Sequence, residues 1–307
     1  MPELPETETI ARDLDGALRG AVVRSVRVLR VDVLRGDVLR VDVLRGDVLR
    51  GDVLRTDVLR GDARLRQRPT PAALADDLAS ALTGASLLGV ARRAKSVVID
   101  FGAAGRLVVT PRFTGALLLD GTPDDAYTCL RLELRDGRTL RYHDVRRLGT
   151  LALLGPEAFA AWDGALGPEP LDPTLTAERF SGIIRGSSRA VKTILMDQKR
   201  LAGVGNIYAN EALWRAGIRP ARRGALVTRA RCASLLDELR AVLTESIELR
   251  GTTFRDYRDA YGGRGGFAAK LQAYGRAGEP CLRCGTVLKA SHALEGRQTI
   301  WCPACQR

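Results

Sequence analysis

The sequence predicts an α+β protein of several domains, and three observations support this fold class. Short apolar segments separated by tight turns follow one another between residues 86 and 142, which is typical of antiparallel strands in a sandwich or a barrel. Segments with helical spacing follow between residues 177 and 249. The end of the chain carries two Cys-x-x-Cys pairs, and 307 residues are enough for two or three domains with cores of their own.

Composition narrows the class of partner. The net charge of +12 and the pI of about 10 indicate a polyanion, with nucleic acid favoured over an anionic membrane surface. The sequence has no apolar run long enough to cross a bilayer, which excludes an integral membrane protein, and no recognisable secretory signal. Four of the six cysteines form Cys-x-x-Cys pairs, so metal binding in a reducing cytosol is expected instead of a disulfide framework.

The first predicted helix spans residues 4–20, and the two residues just before it, Pro2 and Glu3, could take part in a chemical reaction. The initiator methionine is usually removed before a residue as small as proline, which would give Pro2 a free secondary amine. An α-amino group has a lower pKa than a lysine side chain, so a fraction of the protein molecules carries it unprotonated at neutral pH. The unprotonated amine can form a Schiff base with an electrophilic carbon. Glu3 lies beside it and can transfer protons. On these first residues alone, a stiff chain start with no chemical role is the favoured interpretation.

A strand predicted over residues 22–28 leads into a tandem repeat. The unit Val-Leu-Arg-x-Asp occurs seven times between Val28 and Asp62, which is typical of an expanded repeat in the coding DNA. A period of five matches neither a helix nor a strand. An elongated hairpin or loop that projects from a sheet is favoured over a pentapeptide-type β-solenoid and over disorder. Seven arginines balance seven aspartates, so we assign the repeat no DNA-binding role.

The remaining elements follow from spacing and turn residues. A short helix is predicted over residues 72–82. Strands are predicted over residues 86–91, 96–101, 106–110, 115–120, 130–134 and 139–142. A proline-rich connector at 166–173 marks a domain boundary, so the expected domains are 1–165, 166–266 and 267–307. Helices are predicted over residues 177–184, 190–196, 205–216 and 228–249, and the glycine-rich stretch 251–266 is predicted to be a mobile loop.

The two cysteine pairs predict a structural zinc site. Seventeen residues separate the first pair from the second, a spacing that fits a four-cysteine zinc ribbon better than a redox pair or chance. Four thiolates complete a tetrahedron and leave no open position, so the single ion is expected to stabilise the finger without catalysing a reaction. His292 is expected on the surface or near DNA and not among the ligands. The expected ligands are Cys281, Cys284, Cys302 and Cys305.

The stretch 196–211 ends one predicted helix, turns at Gly203 and Gly205, and starts the next. Glycine lets the backbone come very near another group, and the first amides of the second helix, with Asn206, offer an anion site. In so basic a chain, a DNA phosphate is the expected anion. A Gly-x-Gly turn alone is equally compatible with a simple helix connector.

Three separated segments together resemble the bacterial formamidopyrimidine-DNA glycosylases. They are Pro-Glu-Leu-Pro-Glu at 2–6, the string at 203–211, and Tyr-Gly-Arg-x-Gly-Glu-Pro-Cys-x-x-Cys-Gly at 274–285. The similarity covers nearly the whole chain except residues 28–62. Leu4 favours the formamidopyrimidine-DNA glycosylases over the related endonuclease VIII family, which typically has glycine at this position. The resemblance implies an N-terminal β-sandwich, a helix–two-turn–helix domain, a zinc finger, and the excision of oxidised purines from damaged double-stranded DNA by a monomer.

The resemblance also implies roles for individual residues. Pro2 would be the nucleophile, Glu3 the proton donor, Lys95 an assistant in β-elimination, and Arg297 an assistant in the second elimination. Asn206 and Lys192 would hold the DNA backbone near the lesion, and the loop 251–266 would cover the everted base. Taken alone, Lys95 would be interpreted as a solvated charge at a strand end, and Arg297 as one more basic residue on a polyanion-binding surface.

Two departures from the family pattern concern DNA contacts. The family usually fills the gap left by an everted nucleotide with Met, Arg and Phe, whereas this chain has Phe113, Arg146 and Leu148. An apolar wedge survives, because Phe and Leu can both insert between bases. Thr110 stands where the family commonly has a DNA-contacting histidine, so we expect one weaker phosphate contact. The alternatives are a glycosylase for oxidised pyrimidines and a DNA-binding zinc protein without catalysis.

Overall fold

A computed structural model describes residues 2–35, 70–120 and 124–307. Most of the tandem repeat therefore lies outside the described residues, and so do the expectations of a hairpin, solenoid or disordered segment there. The helices are α1 Leu4–Leu18, α2 Pro71–Leu82, α3 Pro156–Gly164, α4 Ala177–Arg185, α5 Val191–Met196, α6 Asn206–Arg215 and α7 Arg229–Glu248. The strands are β1 Val23–Val28, β2 Gly89–Arg93, β3 Ser96–Asp100, β4 Arg106–Thr110, β5 Gly115–Leu119, β6 Thr128–Leu134, β7 Thr139–Asp144, β8 Thr150–Leu154, β9 Lys289–Ser291 and β10 Thr299–Trp301.

The N-terminal half is an antiparallel β-sandwich. One sheet has the order β1-β6-β7-β5 and the other β2-β3-β4-β8. Apolar side chains from both sheets meet the inner face of α1 in one core, which includes Ile10, Leu14, Ile99 and Leu132. The structure thus confirms the predicted α+β class and decides for a sandwich between the two arrangements that the strand pattern allowed.

Two elements of the sandwich were not predicted, and one strand lies later than expected. β8 and α3 occupy a nearly continuous apolar run that has no clear alternation, and β8 is positioned by its pairing with β4 at the edge of the sheet. β2 begins at Gly89 and not at residue 86, because Ser86 instead forms a bridge with Val22. Pairing with distant segments of the chain therefore determines the bounds of these strands, which the local pattern of apolar residues does not define.

The helical half has a separate core, to which α4–α7 contribute. Thr176 and Thr228 cap α4 and α7 by accepting hydrogen bonds from the amides of Arg179 and Arg231. Leu4, at the start of α1, is fully buried in this second core, whereas the rest of the inner face of α1 lies in the sandwich. One helix therefore ties both halves together and places the N-terminus at their junction.

The C-terminal finger is fixed against α6. The side chain of Asn210 accepts a hydrogen bond from the amide of Ile300 at 2.8 Å, which anchors the β9–β10 hairpin. Glu211 is fully buried, and its carboxylate accepts hydrogen bonds from the amides of residues 272–274 at 2.7–2.9 Å. Two neighbouring residues of one helix thus set the orientation of the finger.

The first two copies of the repeat begin inside the described residues. Val28 closes β1, whereas Val33 is buried in the sandwich core. Leu34 forms a parallel bridge with Leu151 of β8, and the amide of Arg35 donates to the carbonyl of Leu151 at 3.0 Å. The same Val-Leu-Arg triplet therefore ends a strand in its first copy and covers a sheet edge in its second.

Candidate active site

Glu3 lies at the N-terminus of α6, more than two hundred residues away in sequence. Its Oε1 accepts a hydrogen bond from the amide of Ile207 at 3.1 Å, and the residue is only 3% exposed. A helix N-terminus stabilises a carboxylate through its free amides and its dipole. Glu3 Oε2 is buried and has no hydrogen-bond partner among the described residues. One oxygen is thus held in place, and the other makes no hydrogen bond within the part of the chain that the structure describes.

The two glycines of the turn are required by contacts with the N-terminus. A Cβ at Gly205 would lie 2.2 Å from the Glu3 carboxyl carbon, and a Cβ at Gly203 would lie 2.8 Å from the Leu4 side chain. Gly203 also has a φ of +84° and accepts a hydrogen bond from the amide of Leu4 at 3.1 Å. The predicted close approach is present, but at Ile207 the anion is Glu3 of the chain itself and not a phosphate.

Glu6 is a buried hub beside Glu3 that the sequence did not reveal as a site residue. Its Oε2 accepts from the Glu3 amide at 2.9 Å, and its Oε1 accepts from the Tyr208 hydroxyl at 2.5 Å and the Thr252 amide at 2.7 Å. Burial raises the pKa of Glu6, and the charge of Glu3 raises it further. The only sequence signal was the Glu-x-x-Glu capping-box spacing at the start of α1.

Positive side chains from distant segments converge on Glu3. Burial lowers the pKa of Lys95, Glu3 opposes this shift, and Arg297 adds to it, so all three charges lie within electrostatic range of one another. Lys95 is half-buried in the β2–β3 turn, and Arg297 comes from the finger. The N-terminal half and the finger therefore both contribute charged groups to one place.

Lys192 and Asn206 border the same place. Lys192 is 1% exposed, and its amine donates to the Gln298 carbonyl at 2.9 Å and to the Thr299 hydroxyl at 2.7 Å. Burial lowers the pKa of Lys192 to about 7, although the charge of Glu3 opposes the shift. Asn206 is the first residue of α6, and its side chain lies close enough to the Tyr274 hydroxyl to lower the pKa of that group, whereas burial raises it. Lys192 therefore also secures the finger segment next to Arg297.

Phe113, Arg146 and Leu148 lie together at the surface of the sandwich. Phe113 is 40% exposed and Leu148 is 39% exposed, and the Arg146 guanidinium lies over the Phe113 ring at 4.7 Å. Arg112, next to Phe113, acts on the pKa of Lys95, which places this surface near the charged cluster. The Thr110 hydroxyl is 2.7 Å from the Ser96 hydroxyl, so it already has a hydrogen-bond partner.

The loop 251–266, which the sequence predicts to be mobile, makes several contacts with both halves of the molecule. Thr252 bonds to Glu6, Tyr257 and Ala260 are buried in the sandwich core, and the carbonyl of Ala260 accepts from the Leu119 amide at 2.8 Å. Phe254 remains 48% exposed. The glycines and polar residues suggested mobility, but two apolar side chains fasten this loop across the domain junction.

The four cysteine sulfurs of the finger form one compact group. All lie within 4.8 Å of one another. Four sulfurs around zinc at a bond length of about 2.3 Å would lie about 3.8 Å apart, so the cluster fits a tetrahedral ion after small shifts. His292 is exposed and is not part of this group.

Where the structure describes the chain, no helix is both long and apolar enough to cross a membrane.

Comparisons with known proteins agree with this architecture. The formamidopyrimidine-DNA glycosylase N-terminal domain model matches residues 40–151, and the formamidopyrimidine-DNA glycosylase H2TH domain model matches residues 166–258. The chain is 37% identical over 310 residues to a formamidopyrimidine-DNA glycosylase of Roseiflexus sp. (strain RS-1), with 100% of both chains covered.

Solved structures show the same likeness. The MutM (Fpg) protein of Thermus thermophilus superposes with a TM-score of 0.78 at 32% identity, covering 99% of this chain and 98% of that one. The Lactococcus lactis Fpg, solved in a complex with DNA containing an abasic site, gives a TM-score of 0.81 at 27% identity, with 99% of both chains covered. Fold and matches together define a DNA glycosylase of the helix–two-turn–helix class. The chain belongs to the formamidopyrimidine-DNA glycosylase family.

Proposed function

We propose that this protein removes oxidised purines from duplex DNA and then cleaves the strand, with the Pro2 amine as nucleophile. Family membership supports a DNA glycosylase of base excision repair. The observation that carries the assignment of residues is the position of Glu3, next to Pro2, with one carboxylate oxygen fixed by α6 and the other unpartnered. Lys95 and Arg297 within range of that carboxylate complete a set of groups able to move protons.

The first chemical step follows from these placements. A damaged nucleotide must leave the base stack, because its glycosidic carbon cannot be reached inside a duplex. The unprotonated Pro2 nitrogen donates its lone pair to C1′, and the C1′–N bond breaks with its electrons going to the base. Glu3, as a carboxylate, accepts the proton that the Pro2 nitrogen loses on attack and passes it through Oε2 to the oxygen of the opening sugar ring, while water protonates the departing base. The product is an iminium linkage between Pro2 and the sugar.

Strand cleavage follows from the same linkage. The positive imine acidifies a C2′ proton, and Lys95 in its neutral form accepts it, which its lowered pKa favours. The 3′ phosphate then leaves, and a second elimination, assisted by Arg297, releases the 5′ phosphate. Water finally hydrolyses the imine and restores the Pro2 amine.

Several residues are proposed to hold the DNA. Asn206 and the remaining amine hydrogen of Lys192 would bind phosphates beside the lesion, and Thr110 would contribute little because its hydroxyl is already engaged. Phe113, Arg146 and Leu148 would fill the gap left by the everted nucleotide.

Contacts between basic side chains and DNA phosphates release counterions, so DNA binding should weaken steeply as the salt concentration rises. We propose that one monomer suffices, since one chain provides every group named.

Borohydride trapping on defined duplexes tests this function. We expect a covalent protein–DNA adduct and β,δ-elimination products on a duplex containing 8-oxoguanine. A duplex containing thymine glycol should react more slowly. The reverse preference would assign the chain to oxidised pyrimidines. No adduct on either lesion, with duplex binding intact, would leave a DNA-binding protein without catalysis.

We also propose that the finger holds one structural zinc ion through its four cysteines. Metal binding supplies much of the folding free energy of such a small unit. Cys302→Ser should therefore lower the zinc content measured by mass spectrometry from about one ion per chain to near zero. Because the finger carries Arg297, DNA binding and the second elimination should fall with it.

His292→Ala is the matched control for the zinc experiment. It changes an exposed residue of the same finger and should leave zinc content and activity unchanged. A loss of zinc in this variant would make His292 a ligand. Full zinc content in Cys302→Ser would contradict the four-cysteine assignment.

A further inference from the structure

We propose that Asp144, a buried residue so far without a role, is the positioning residue of the surface wedge. The wedge is formed by Phe113, Arg146 and Leu148, which lie on two separate loops, 111–114 and 145–149. This inference rests on the proposed function, because it concerns how those side chains are presented to DNA. It assigns Asp144 no contact with substrate.

The Asp144 carboxylate connects the two loops directly. It is 0% exposed. Its Oδ1 accepts from the Thr114 hydroxyl at 2.6 Å and from the Arg146 amide at 3.2 Å. Its Oδ2 accepts from the Gly149 amide at 2.8 Å and from the Tyr142 hydroxyl at 3.2 Å. Four donors from both loops and from β7 therefore converge on one side chain.

The surrounding backbone needs such support. Phe113 has a φ of +47° and Arg147 a φ of +52°, which is the left-handed region that non-glycine residues rarely adopt. Gly149 packs so tightly that an added Cβ would lie 1.8 Å from the Tyr142 hydroxyl. Strained loops hold one conformation only when hydrogen bonds and packing fix them, and Asp144 supplies the hydrogen bonds on both sides.

The exposed ends of these loops are the side chains that would meet DNA. Phe113 and Leu148 expose more than a third of their surface, and the Arg146 guanidinium stacks on the Phe113 ring. An insertion device works only if its tip is held firmly before it enters the base stack. Asp144 therefore acts on the three exposed side chains indirectly, through hydrogen bonds to the loops that carry them.

Asp144→Asn is the decisive variant. Asparagine has the same size but only one acceptor oxygen, and its NH₂ group would face donors on the other side. We expect kcat/KM on a duplex containing 8-oxoguanine to fall by between about 10- and 100-fold, as misplacement of positioning groups typically does. Strand cleavage at an abasic site in a single-stranded oligonucleotide should be unchanged, because no base stack has to be filled there.

A binding measurement tests the inference without requiring turnover. The wild-type protein should increase the fluorescence of 2-aminopurine placed opposite a tetrahydrofuran site in a duplex, because the wedge disturbs stacking there. Asp144→Asn should bind this duplex with a much smaller fluorescence change. Asp136→Asn, an exposed carboxylate of the same sandwich, is the control and should behave like the wild type.

The outcomes separate the two proposals. An unchanged duplex rate and fluorescence change in Asp144→Asn would overturn the positioning role. An equal loss on duplex and single-stranded substrates would also overturn it, since the defect would then be general. If the wild type shows the fluorescence change but no cleavage, the proposed chemistry fails and the positioning role stands. Should Asp144→Asn not fold, Thr114→Val, which at constant shape removes the hydroxyl that donates to Asp144 and accepts from the Arg146 amide at 3.0 Å, is expected to give the same pattern at smaller amplitude.

Discussion

A protein that carries an N-terminal tag ahead of Pro2 is expected to give no borohydride-stable adduct with lesion-containing DNA. The tag converts the Pro2 amine into an amide, which has no lone pair available for attack on C1′. Pro2 is also buried, so an extension has little room at the site. Gel analysis of trapped complexes measures the effect directly.

The same tag at the C-terminus is the matched control for the tagging experiment. It leaves the Pro2 amine free and should preserve both the adduct and the cleavage products. Duplex binding should survive in the N-terminally tagged protein, because Arg146, Lys192 and Asn206 are unchanged. Full trapping by that protein would show that another amine, such as Lys95, forms the imine, and the terminal-amine assignment would then be abandoned.

Glu3→Gln is expected to reduce excision of 8-oxoguanine by roughly 10²- to 10⁴-fold, the usual contribution of a positioned proton donor or acceptor. Glutamine can keep the hydrogen bond from the Ile207 amide through its oxygen, so the fold should be preserved. Its NH₂ group would occupy the place of Oε2, and it cannot exchange a proton as the acid does. Single-turnover base release measures this loss.

A preformed abasic site separates the role of Glu3 from that of Pro2. Its sugar already opens to an aldehyde, so Pro2 can form the imine with less help from Glu3. Trapping on this substrate should therefore survive in Glu3→Gln far better than base excision does. Glu157→Gln, on the exposed first turn of α3, is the control. Base excision within tenfold of wild type would mean that a different group donates the proton.

The parts of the site that could be predicted are those in which chemistry dictates residue type and short spacing. The four cysteines are of this kind, because a tetrahedral metal needs particular residues at particular positions, whereas the Pro-Glu start was given a role only through the family resemblance. The antiparallel strands were predictable from the turns between short apolar segments, although a sandwich could not be told from a barrel, and the helices α4–α7 were predictable from their spacing. These features are local in sequence, so a single chain displays them.

The rest depended on contacts between distant segments. Glu3 meets Ile207 across 204 residues, and nothing near either residue announces the pairing. Glu6 and Asp144 resemble ordinary acidic residues until their donors from other elements are known. β8 was missed because its partner strand determines it. The close approach at Gly205 was predicted, but the sequence could not show that the approaching group belongs to the chain itself.

The docking of the second repeat copy has an evolutionary consequence. Val33, Leu34 and Arg35 cover the edge of β8, and every later copy offers the same three residues. Replication slippage that adds or deletes whole copies would therefore return an identical triplet to that edge, and the residues around Glu3 would not change. Natural alleles differing in length by multiples of five residues should accumulate here with little selective penalty, in a gene whose product repairs the DNA that encodes it.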